Sequence, residues 1–285
     1  MERILVLGCS GMLGNAVYRL LSSQSDHTVF GTVRSSGSVA DAALENAEGL
    51  IVGVDAGDFD SIVGAFAKAR PSLVVNCIGL VKQLATSKDP LAVLPINSLL
   101  PHRLARLCDV SGARLIHVST DCVFSGRTGN YRESDFADAD DLYGRSKYLG
   151  EVAQSHALTI RTSIIGHEHQ TSHGLVEWFL SQPGPVRGFT RAVFSGLPTV
   201  TLAEVIRDRI LPDAGLNGVY HVSSEPISKY DLLKIVAEIY ERSTVIVPDE
   251  DLVIDRSLDS SRFRERTGYR APAWSDLVRR MRAFS

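Results

Sequence analysis

The sequence predicts an α/β fold in which a parallel sheet is covered by helices on both faces. Segments with strand character alternate with segments of helical periodicity along most of the chain. Several strand segments are apolar throughout, which is typical of strands that are buried on both faces and joined by helical crossovers. A glycine-rich turn also joins the first strand directly to the first helix.

The individual elements follow in a regular order. Strands are predicted at residues 3–8, 27–33, 49–55, 72–79, 113–120, 157–163 and 218–224. Helices are predicted at residues 15–22, 59–71, 96–112, 143–156 and 228–241. The last of these helices starts at Ser228, a residue type that caps helix N-termini well. No low-complexity linker separates the final third, which is therefore interpreted as an annex to the sheet domain.

The composition is that of an ordinary globular protein. Of the 285 residues, 44% are hydrophobic and 22% are charged, a length and balance that fit one or two domains. The net charge of −3 predicts no basic face for a nucleic acid. No run of about 18 apolar residues predicts a membrane span, and the N-terminus lacks signal-peptide features. We therefore expect a cytoplasmic protein whose cysteines, none in CxxC spacing, are reduced thiols.

The turn GCSGMLG carries the first functional signal. Gly8 permits the tight turn, Gly11 lets a pyrophosphate approach the helix N-terminus, and Gly14 lets the helix pack closely on the sheet. The spacing G-x-x-G-x-x-G differs from the more common G-x-G-x-x-G. Its place between a strand and a helix nevertheless fits the binding of a pyrophosphate at the helix N-terminus. A purely structural turn is the alternative interpretation. The residues predicted to bind the dinucleotide here are Gly8, Ser10, Gly11, Met12 and Leu13.

The end of the second strand indicates which dinucleotide is bound. NAD sites place an acidic residue there, whereas the 2′-phosphate of NADP favours an arginine. This strand ends in GTVRSS, with Arg34 and no carboxylate before Asp41, so NADPH is predicted, with NADH left open. A solvated surface arginine is the other interpretation of Arg34. From their positions at strand ends, Asp55, Cys77, Ile78 and Gly79 are predicted to line the rest of the cofactor site.

A Tyr and a Lys four residues apart predict a catalytic pair. Tyr143 and Lys147 fall on one face of a helix, where the ammonium is expected to lower the pKa of the phenol. The phenol then exchanges a proton near neutral pH, and Thr120 at the preceding strand end holds a carbonyl oxygen beside it. This spacing alone usually marks an exposed helix face, but a dinucleotide turn and a strand-end Thr precede it.

The chain resembles the extended short-chain dehydrogenase/reductase family and, within it, the dTDP-4-dehydrorhamnose reductase group. The resemblance covers nearly the whole chain and rests on GCSGMLG, VSTDCVFSG, YGRSK, IRTS, FSGLPT, GVYHVSS and RSLDSS. It implies a Rossmann-type doubly wound parallel sheet with a small C-terminal substrate-binding annex. On this basis we assign 1–165 to the NAD(P)-binding domain, with returning segments around 189–222, and 166–188 and 223–285 to the annex.

The resemblance also implies an activity, the NAD(P)H-dependent reduction of a nucleotide-activated 4-keto-6-deoxy sugar for surface polysaccharide precursors. Its site residues carry over to Thr120, Tyr143 and Lys147. Tyr143 is expected to protonate the oxygen after hydride reaches C4 of the sugar, while Thr120 holds that oxygen. Lys147 is expected to lower the pKa of Tyr143 and to bind the nicotinamide ribose.

Two departures from the family pattern concern the sugar. Cys122 stands where members commonly have Tyr, and NCIGLVKQ replaces a more alanine-rich strand end. The segments GLVKQ and DLYGRSK favour UDP-linked 2-acetamido-2,6-dideoxy-4-hexuloses over dTDP-4-dehydrorhamnose, although both stay open. Arg187, Arg191 and Arg256 are candidates for binding the substrate diphosphate, since a guanidinium binds phosphate oxygens in bidentate fashion. The residues predicted to contact the substrate are Val81, Lys82, Thr120, Asp121, Cys122, Arg187, Arg191 and Arg256.

Other readings of the same sequence stay open. An epimerase of the same family shares the Tyr–Lys pair, whereas a dehydratase is disfavoured because Asp121 is followed by Cys122 and not by Glu. The alternative from another class is a non-catalytic NADP-binding regulatory subunit, since a regulatory subunit of methionine adenosyltransferase resembles this group. The complete Thr–Tyr–Lys set favours an enzyme. A homodimer is left open, and 167–169 (HEH) is interpreted as a solvated loop, with no metal site predicted.

Overall fold

A parallel sheet forms the centre of the protein. The structure is a computed structural model that describes residues 1–23, 26–41, 44, 49–82, 85–168 and 174–284. The sheet strands, in spatial order, are β11 (Gly218–His221), β6 (Ala157–Arg161), β5 (Arg114–Val118), β4 (Leu73–Asn76), β1 (Glu2–Leu7), β2 (His27–Val33) and β3 (Leu50–Val52). All their pairings are parallel. The strand order reverses between β1 and β4, and open α/β sheets bind their ligands at such a switch point.

Helices cover both faces of this sheet. Those of the described residues are α1 (Met12–Ser22), α2 (Gly37–Asp41), α3 (Phe59–Ala69), α4 (Pro90–Val93), α5 (Leu100–Ser111), α6 (Leu142–Leu149), α7 (Leu175–Leu180), α8 (Thr199–Val205), α9 (Lys229–Ile239), α10 (Ser261–Thr267) and α11 (Trp274–Phe284). On β1, Ile4 and Val6 point into one apolar cluster, and Leu5 and Leu7 point into another on the opposite face. The predicted doubly wound parallel sheet is therefore confirmed.

The helix before β5 is longer than predicted and contains a wider turn. It starts after the N-cap Asp89, whose side chain accepts a hydrogen bond from the Leu91 amide, and it runs through a π-helical segment, Leu94–Leu99, into α5. Pro95 lies inside this segment and has no amide hydrogen, which removes one helical hydrogen bond. Asn97 lies in this wider turn and is almost completely buried.

The helix that carries Tyr143 is shorter than predicted. Residues 143–156 were expected to be helical, but α6 ends at Leu149 with Gly150 as its C-cap. A Cβ atom at Gly150 would lie 1.9 Å from the carbonyl oxygen of Asn97, so this glycine permits the two segments to touch. The next residue, Glu151, leaves the helix and pairs with Arg161 of β6. These long-range contacts end the helix earlier than its local sequence predicts.

Smaller sheets form beside the carboxyl ends of the central strands. β8 (Val186–Phe189) pairs with β13 (Ile246–Asp249), and β7 (Ile164–Ile165) pairs with β10 (Leu197–Pro198). A three-stranded sheet has the order β12 (Ile227–Ser228), β9 (Ala192–Phe194) and β14 (Ile254–Asp255). Ser228 caps α9 as predicted, by accepting a hydrogen bond from the Asp231 amide at 3.0 Å. Among the described residues, no helix combines the length and apolar character that a membrane span requires.

Candidate active site

The glycine turn has the geometry of a dinucleotide cradle. Gly8 has a φ of 87°, a left-handed conformation that favours glycine. A Cβ atom at Gly14 would lie 2.1 Å from the Gly8 carbonyl oxygen, so α1 packs on the turn too closely for any side chain. Gly11 caps α1 without a side-chain hydrogen bond. Because the first amides of a helix have no intrahelical acceptor, Met12 and Leu13 can present theirs to a pyrophosphate. The predicted cradle therefore fits a dinucleotide.

The ends of β2 and β3 carry the residues predicted near the adenosine. Arg34 follows β2 directly, is exposed, and makes no hydrogen bond or ion pair with the residues described by the structure. Its guanidinium is thus available to a phosphate. Asp55 lies beyond the end of β3, and its Oδ1 accepts a hydrogen bond from the Gly57 amide at 2.7 Å. Asp55 therefore shapes a turn at the edge of the predicted adenine site.

Asn97 fastens the loop that follows β4. Its Oδ1 accepts from the Leu80 amide at 2.9 Å, and its Nδ2 donates to the Leu80 carbonyl at 3.0 Å and to the Ser146 hydroxyl at 3.2 Å. One buried amide therefore holds this loop against α6. A Cβ atom at Gly79 would lie 3.7 Å from the Lys147 Nζ, so the predicted cofactor segment 77–79 passes beside the ammonium.

The N-terminal cap of α6 places Tyr143 and Lys147. Asp141 Oδ1 accepts a hydrogen bond from the Gly144 amide at 2.7 Å, and Asp141 Oδ2 lies 2.5 Å from the Lys82 Nζ. Although burial raises the pKa of Asp141, these hydrogen bonds bring it below its ordinary value, so the cap stays charged. Lys82, predicted to contact substrate, thus ties the β4 loop to the helix that carries Tyr143.

Thr120 lies where prediction placed it, at the end of β5 and directly beside α6. A Cβ atom at Gly144 would lie 2.1 Å from the Cys122 carbonyl oxygen, so the helix rests on the turn that follows Thr120. The Thr120 hydroxyl accepts from the Cys122 amide at 3.1 Å and donates to Asp121 Oδ1 at 3.1 Å. Asp121 is buried, and burial raises the pKa of its carboxyl despite the nearby Arg256.

The electrostatics of Tyr143 and Lys147 differ from the prediction. Burial raises the pKa of Tyr143 above its ordinary value, and a hydrogen bond with Thr120 only partly opposes this rise. Burial also lowers the pKa of Lys147 to about 8, against the attraction of Glu151. The expectation that Lys147 lowers the pKa of Tyr143 is therefore wrong for the protein alone, because burial favours the uncharged form of both groups. A phenol with a raised pKa keeps its proton and is an acid.

Arg256 is the predicted arginine that the structure brings to the site. Its Nε donates to the Phe124 carbonyl oxygen at 2.9 Å, and its Nη1 lies 3.7 Å from the Cys122 Sγ. Burial raises the pKa of the Cys122 thiol to about 12, so the sulfur is protonated at neutral pH. Arg256, Cys122 and Asp121 therefore form one wall next to Thr120. Val81 lies on the loop after β4 and is exposed.

The other two arginines are not brought to this wall. Arg187 on β8 is exposed, and its guanidinium pairs with Asp249 and, at 2.5 Å, with Asp251. Two carboxylates already pair with it, so the structure gives no support to the assignment of Arg187 to the substrate diphosphate, which stays a prediction. Arg191 lies in the turn between β8 and β9, where its carbonyl accepts a hydrogen bond from the Ile254 amide. Its exposed side chain has no hydrogen bond or ion pair with the described residues.

The sequence pattern did not identify some residues of the site. Asn97 and Asp141 position the loop and the helix, and Lys229, the first residue of α9, is a half-buried cation in the electrostatic neighbourhood of Asp121 and Arg256. Asn97 could have been found because it follows Pro95 inside a helical pattern, where both residues are unusual. Asp141 could have been found as an Asp directly before a helix, where this residue type caps the N-terminus. No sequence signal marks Lys229.

The segment 167–169 gives no metal site in the part of the chain that the structure describes. His167 hydrogen-bonds Glu177 through Nδ1 and the Tyr240 hydroxyl through Nε2, the latter at 2.7 Å. His169 lies outside the described residues. Among the residues that are described, no three His, Cys, Asp or Glu side chains are grouped to hold a metal ion.

Comparison with known proteins gives relatives along the whole chain. The sequence matches the family described as the RmlD substrate binding domain over residues 1–281. It is 32% identical to the probable low-salt glycan biosynthesis reductase Agl14 of Haloferax volcanii, over 77% of this chain and 74% of that protein. It is also 27% identical to the methionine adenosyltransferase 2 subunit beta of Danio rerio, over 84% of this chain and 74% of that protein.

A solved structure shares the complete fold. The dTDP-4-dehydrorhamnose reductase of Bacillus anthracis, solved in complex with NADP, superposes with a TM-score of 0.82 and 19% identity over 100% of both chains. This likeness shows the fold, and the family match shows the relationship by sequence. The predicted resemblance is confirmed: the chain belongs to the RmlD family of extended short-chain dehydrogenase/reductases.

Proposed function

We propose that this protein is an NAD(P)H-dependent reductase of a nucleotide-activated 4-keto-6-deoxy sugar, with NADPH as the preferred cofactor. One observation carries the proposal: Thr120, Tyr143 and Lys147 come together at the end of β5, and Lys147 also approaches Gly79 after β4, next to the glycine turn that fits a dinucleotide. Family membership and a reductase among the relatives support the same conclusion. The unpaired Arg34 at the end of β2 supports NADPH over NADH.

The chemistry follows from the groups that the chain provides. The bound cofactor supplies a hydride to the carbonyl carbon of the sugar. Thr120 holds the carbonyl oxygen by turning its hydroxyl from Asp121 toward the substrate. Tyr143 donates its proton to that oxygen as negative charge develops, and burial favours the protonated phenol needed for this step. Lys147, held beside Gly79, is the residue that would bind the nicotinamide ribose.

The annex is proposed to close the sugar side of the site. It comprises 166–188 and 223–285, and its residues 169–173 lie outside the described part of the chain. Arg256 reaches from β14 to the turn that follows Thr120 and is the proposed contact for the substrate diphosphate. Cys122 replaces a larger aromatic residue of the family and leaves more room beside the sugar. This favours a sugar with a 2-acetamido group on a UDP carrier.

A non-catalytic NADP-binding subunit is the second candidate, because one relative is a subunit of methionine adenosyltransferase. That role needs the glycine turn but no proton donor beside a strand-end Thr. The presence of Thr120 and Tyr143 in contact therefore favours the enzyme. An epimerase would use the same pair and is distinguished by its product, since it returns the cofactor unchanged.

The decisive experiment measures NADPH oxidation with a panel of dTDP- and UDP-linked 4-keto-6-deoxy sugars. We expect one substrate class to be reduced at C4, with one NADPH consumed per product. We further expect UDP-2-acetamido-4-keto sugars to react faster than dTDP-4-dehydrorhamnose. A faster reaction with the dTDP sugar would reverse the proposed order of substrates. If no member of the panel is reduced while NADPH still binds, the reductase proposal fails and the binding-subunit candidate gains support.

A further inference from the structure

Lys229 is a cation at the site that neither the fold nor the proposed chemistry has yet explained. It is the first residue of α9 and is half-buried. No hydrogen bond or ion pair joins its ammonium to the part of the chain that is described. A partly buried charge without a partner is unfavourable, and proteins normally pair such a group or expose it. A ligand that carries negative charge would provide the missing partner.

The small sheet places Lys229 and Arg256 on either side of β9. Ser228 of β12 and Asp255 of β14 are both registered against Val193 of β9, one on each side. β12 runs antiparallel to β9 and β14 runs parallel to it, so Lys229 continues toward Ala192 and Arg256 continues toward Phe194. The two cations therefore flank β9 on opposite sides, two residues apart along the strand. Arg256 extends from there to the Phe124 carbonyl and the Cys122 sulfur. The two cations therefore lie on the annex side of the turn that follows Thr120.

The electrostatic neighbours of Lys229 belong to the same region. Burial lowers the pKa of Lys229, Arg256 and Lys82 add to this effect, and Asp121 and Cys122 oppose it. All four of these groups come from residues predicted to contact the substrate. Such influence falls with distance, which agrees with the position beside β9 that the strand register gives to Lys229.

Helix stability does not explain a lysine at this position. Ser228 already caps α9, and Asp231 supplies the acidic residue that a first turn favours. A lysine in the first turn opposes the helix dipole, whose positive end lies there. The apolar residues that hold the helix in place are on its buried face, at Leu232, Leu233 and Val236. The ammonium is thus unfavourable for the helix and for burial, which points to a role in binding.

We propose that Lys229 acts with Arg256 to bind the diphosphate of the nucleotide-sugar substrate, and that it sets the preference for a nucleoside diphosphate over less charged ligands. This inference rests on the proposed function, since it assumes that the substrate is a nucleotide sugar. The diphosphate lies away from the reacting carbon, so its contacts are the same in the bound substrate and in the transition state. Such uniform binding changes KM and leaves kcat nearly unchanged.

The test compares Lys229→Met with Lys229→Arg and with Lys234→Met, an exposed lysine on the same helix. Binding of dTDP and UDP to the NADP⁺-saturated protein is measured by calorimetry, with thymidine and uridine as ligands that lack phosphate. We expect Lys229→Met to weaken nucleoside diphosphate binding about tenfold or more, the usual size of a lost charged contact. Lys229→Arg should keep most of the affinity, and Lys234→Met should bind as the unaltered protein does. NADP⁺ affinity should stay the same in all three variants, and Lys229→Met should keep or raise the thermal midpoint, because it removes a charge that is unfavourable for the fold.

Each result decides between the inference and the proposed function. If the unaltered protein binds dTDP or UDP and Lys229→Met binds it equally well, the assignment of Lys229 is overturned while the nucleotide-sugar proposal stands. If the unaltered protein binds neither nucleotide, both proposals fall together. With an active substrate in hand, Lys229→Met should raise KM and change kcat less than twofold, and a loss confined to kcat would also overturn the inference.

Discussion

The ammonium of Lys147 donates a hydrogen bond to the backbone carbonyl of Val118, at an Nζ–O distance of 2.8 Å. This contact fastens α6 to the end of β5, directly before the strand-end Thr120. Lys147 is only 4% exposed, so the contact is made in a poorly solvated place. Burial at this position therefore disfavours the charged form of Lys147 and makes its ammonium unfavourable for folding.

Lys147→Met should stabilise the cofactor-free protein near neutral pH by about 1–2 kcal/mol, once the lost bond to Val118 is subtracted. The pKa of Lys147 falls from 10.5 to about 8 on folding, so between these values the unfolded chain binds more protons. Stability of the unaltered protein should accordingly rise with pH through this window, and the variant should lack that rise. Urea unfolding at pH 7, 9 and 10.5 measures both effects. Lys68→Met, an exposed control on α3, should change neither the stability nor its pH dependence.

Tyr143→Phe should lower kcat by at least about 100-fold and leave NADPH affinity almost unchanged. The ring and its packing are kept, and only the proton that the half-buried Tyr143 donates is lost. Thr120→Val should cost less, because it removes one hydrogen bond to the carbonyl oxygen and keeps the shape. Lys147→Met should reduce both NADPH affinity and kcat, because it removes the proposed contact to the ribose that holds the nicotinamide in position.

Steady-state kinetics and cofactor titration of the three variants separate these effects. A Tyr143→Phe variant with near-normal kcat on a verified substrate would show that another group supplies the proton. The raised pKa of Tyr143 adds a second readout. Since the phenol stays protonated through neutral pH, its own ionisation should not produce a fall in kcat between pH 6 and 9.

Arg34→Ala should weaken NADPH binding by about tenfold or more and leave NADH binding nearly unchanged. The guanidinium has no partner within the described residues, so its loss should not disturb the fold. Fluorescence titration with both cofactors measures the difference. Arg106→Ala, which removes an exposed arginine on α5, serves as the control for general charge effects. Equal affinity of the unaltered protein for NADPH and NADH would contradict the cofactor assignment.

Gly14→Ala should destabilise the protein by about 1–3 kcal/mol and abolish tight NADPH binding. The added methyl would meet the Gly8 carbonyl oxygen at 2.1 Å, so α1 must move away from the turn that cradles the pyrophosphate. Gly64→Ala is the matched control, because it lies in α3 with no atom within 4 Å of its added methyl. It should stabilise the protein by about 0.5–1 kcal/mol through helix propensity. Thermal unfolding with and without NADPH distinguishes the two variants.

Patterns over a few neighbouring residues were enough to predict strand bounds, a helix cap and the residues at strand ends. The bounds of β2 and the Ser228 cap of α9 agree with prediction, since apolar runs and cap residues act over a few positions. Thr120 and the Tyr143–Lys147 pair could be placed because parallel strands bring their carboxyl ends to one edge. The predicted cytoplasmic location stays a prediction.

Contacts between distant segments account for the places where the structure differs from the prediction. The early end of α6 results from the approach of Gly150 to Asn97, two segments that no local pattern connects. Arg187 looked free in the sequence because Asp249, at the end of β13, and Asp251, just after it, are about 60 residues away along the chain. The pKa of Tyr143 depends on how deeply the folded chain buries it, which a spacing of four residues does not reveal.

A buried ion pair behind the strand ends gives the last prediction. Glu151, just beyond α6, accepts hydrogen bonds from Arg161 of β6 at 2.8 and 2.7 Å, and the Ser119 hydroxyl donates to the same carboxylate at 2.8 Å. The two charged side chains are only 5% and 6% exposed. Each charge therefore depends on the other, and Ser119 connects the pair to Thr120.

Glu151→Leu alone should destabilise the protein by about 3–5 kcal/mol, because it leaves the buried guanidinium of Arg161 without its carboxylate. The double variant Glu151→Leu/Arg161→Met should recover much of this loss, since neither charge is then buried. Urea unfolding of both single variants and the double variant forms a double-mutant cycle that isolates the coupling. Asp276→Asn breaks the exposed pair with Arg279 and should change stability by less than about 0.5 kcal/mol. A Glu151→Leu effect as small as that control would mean that water reaches Arg161 and that the pair does not stabilise the strand end.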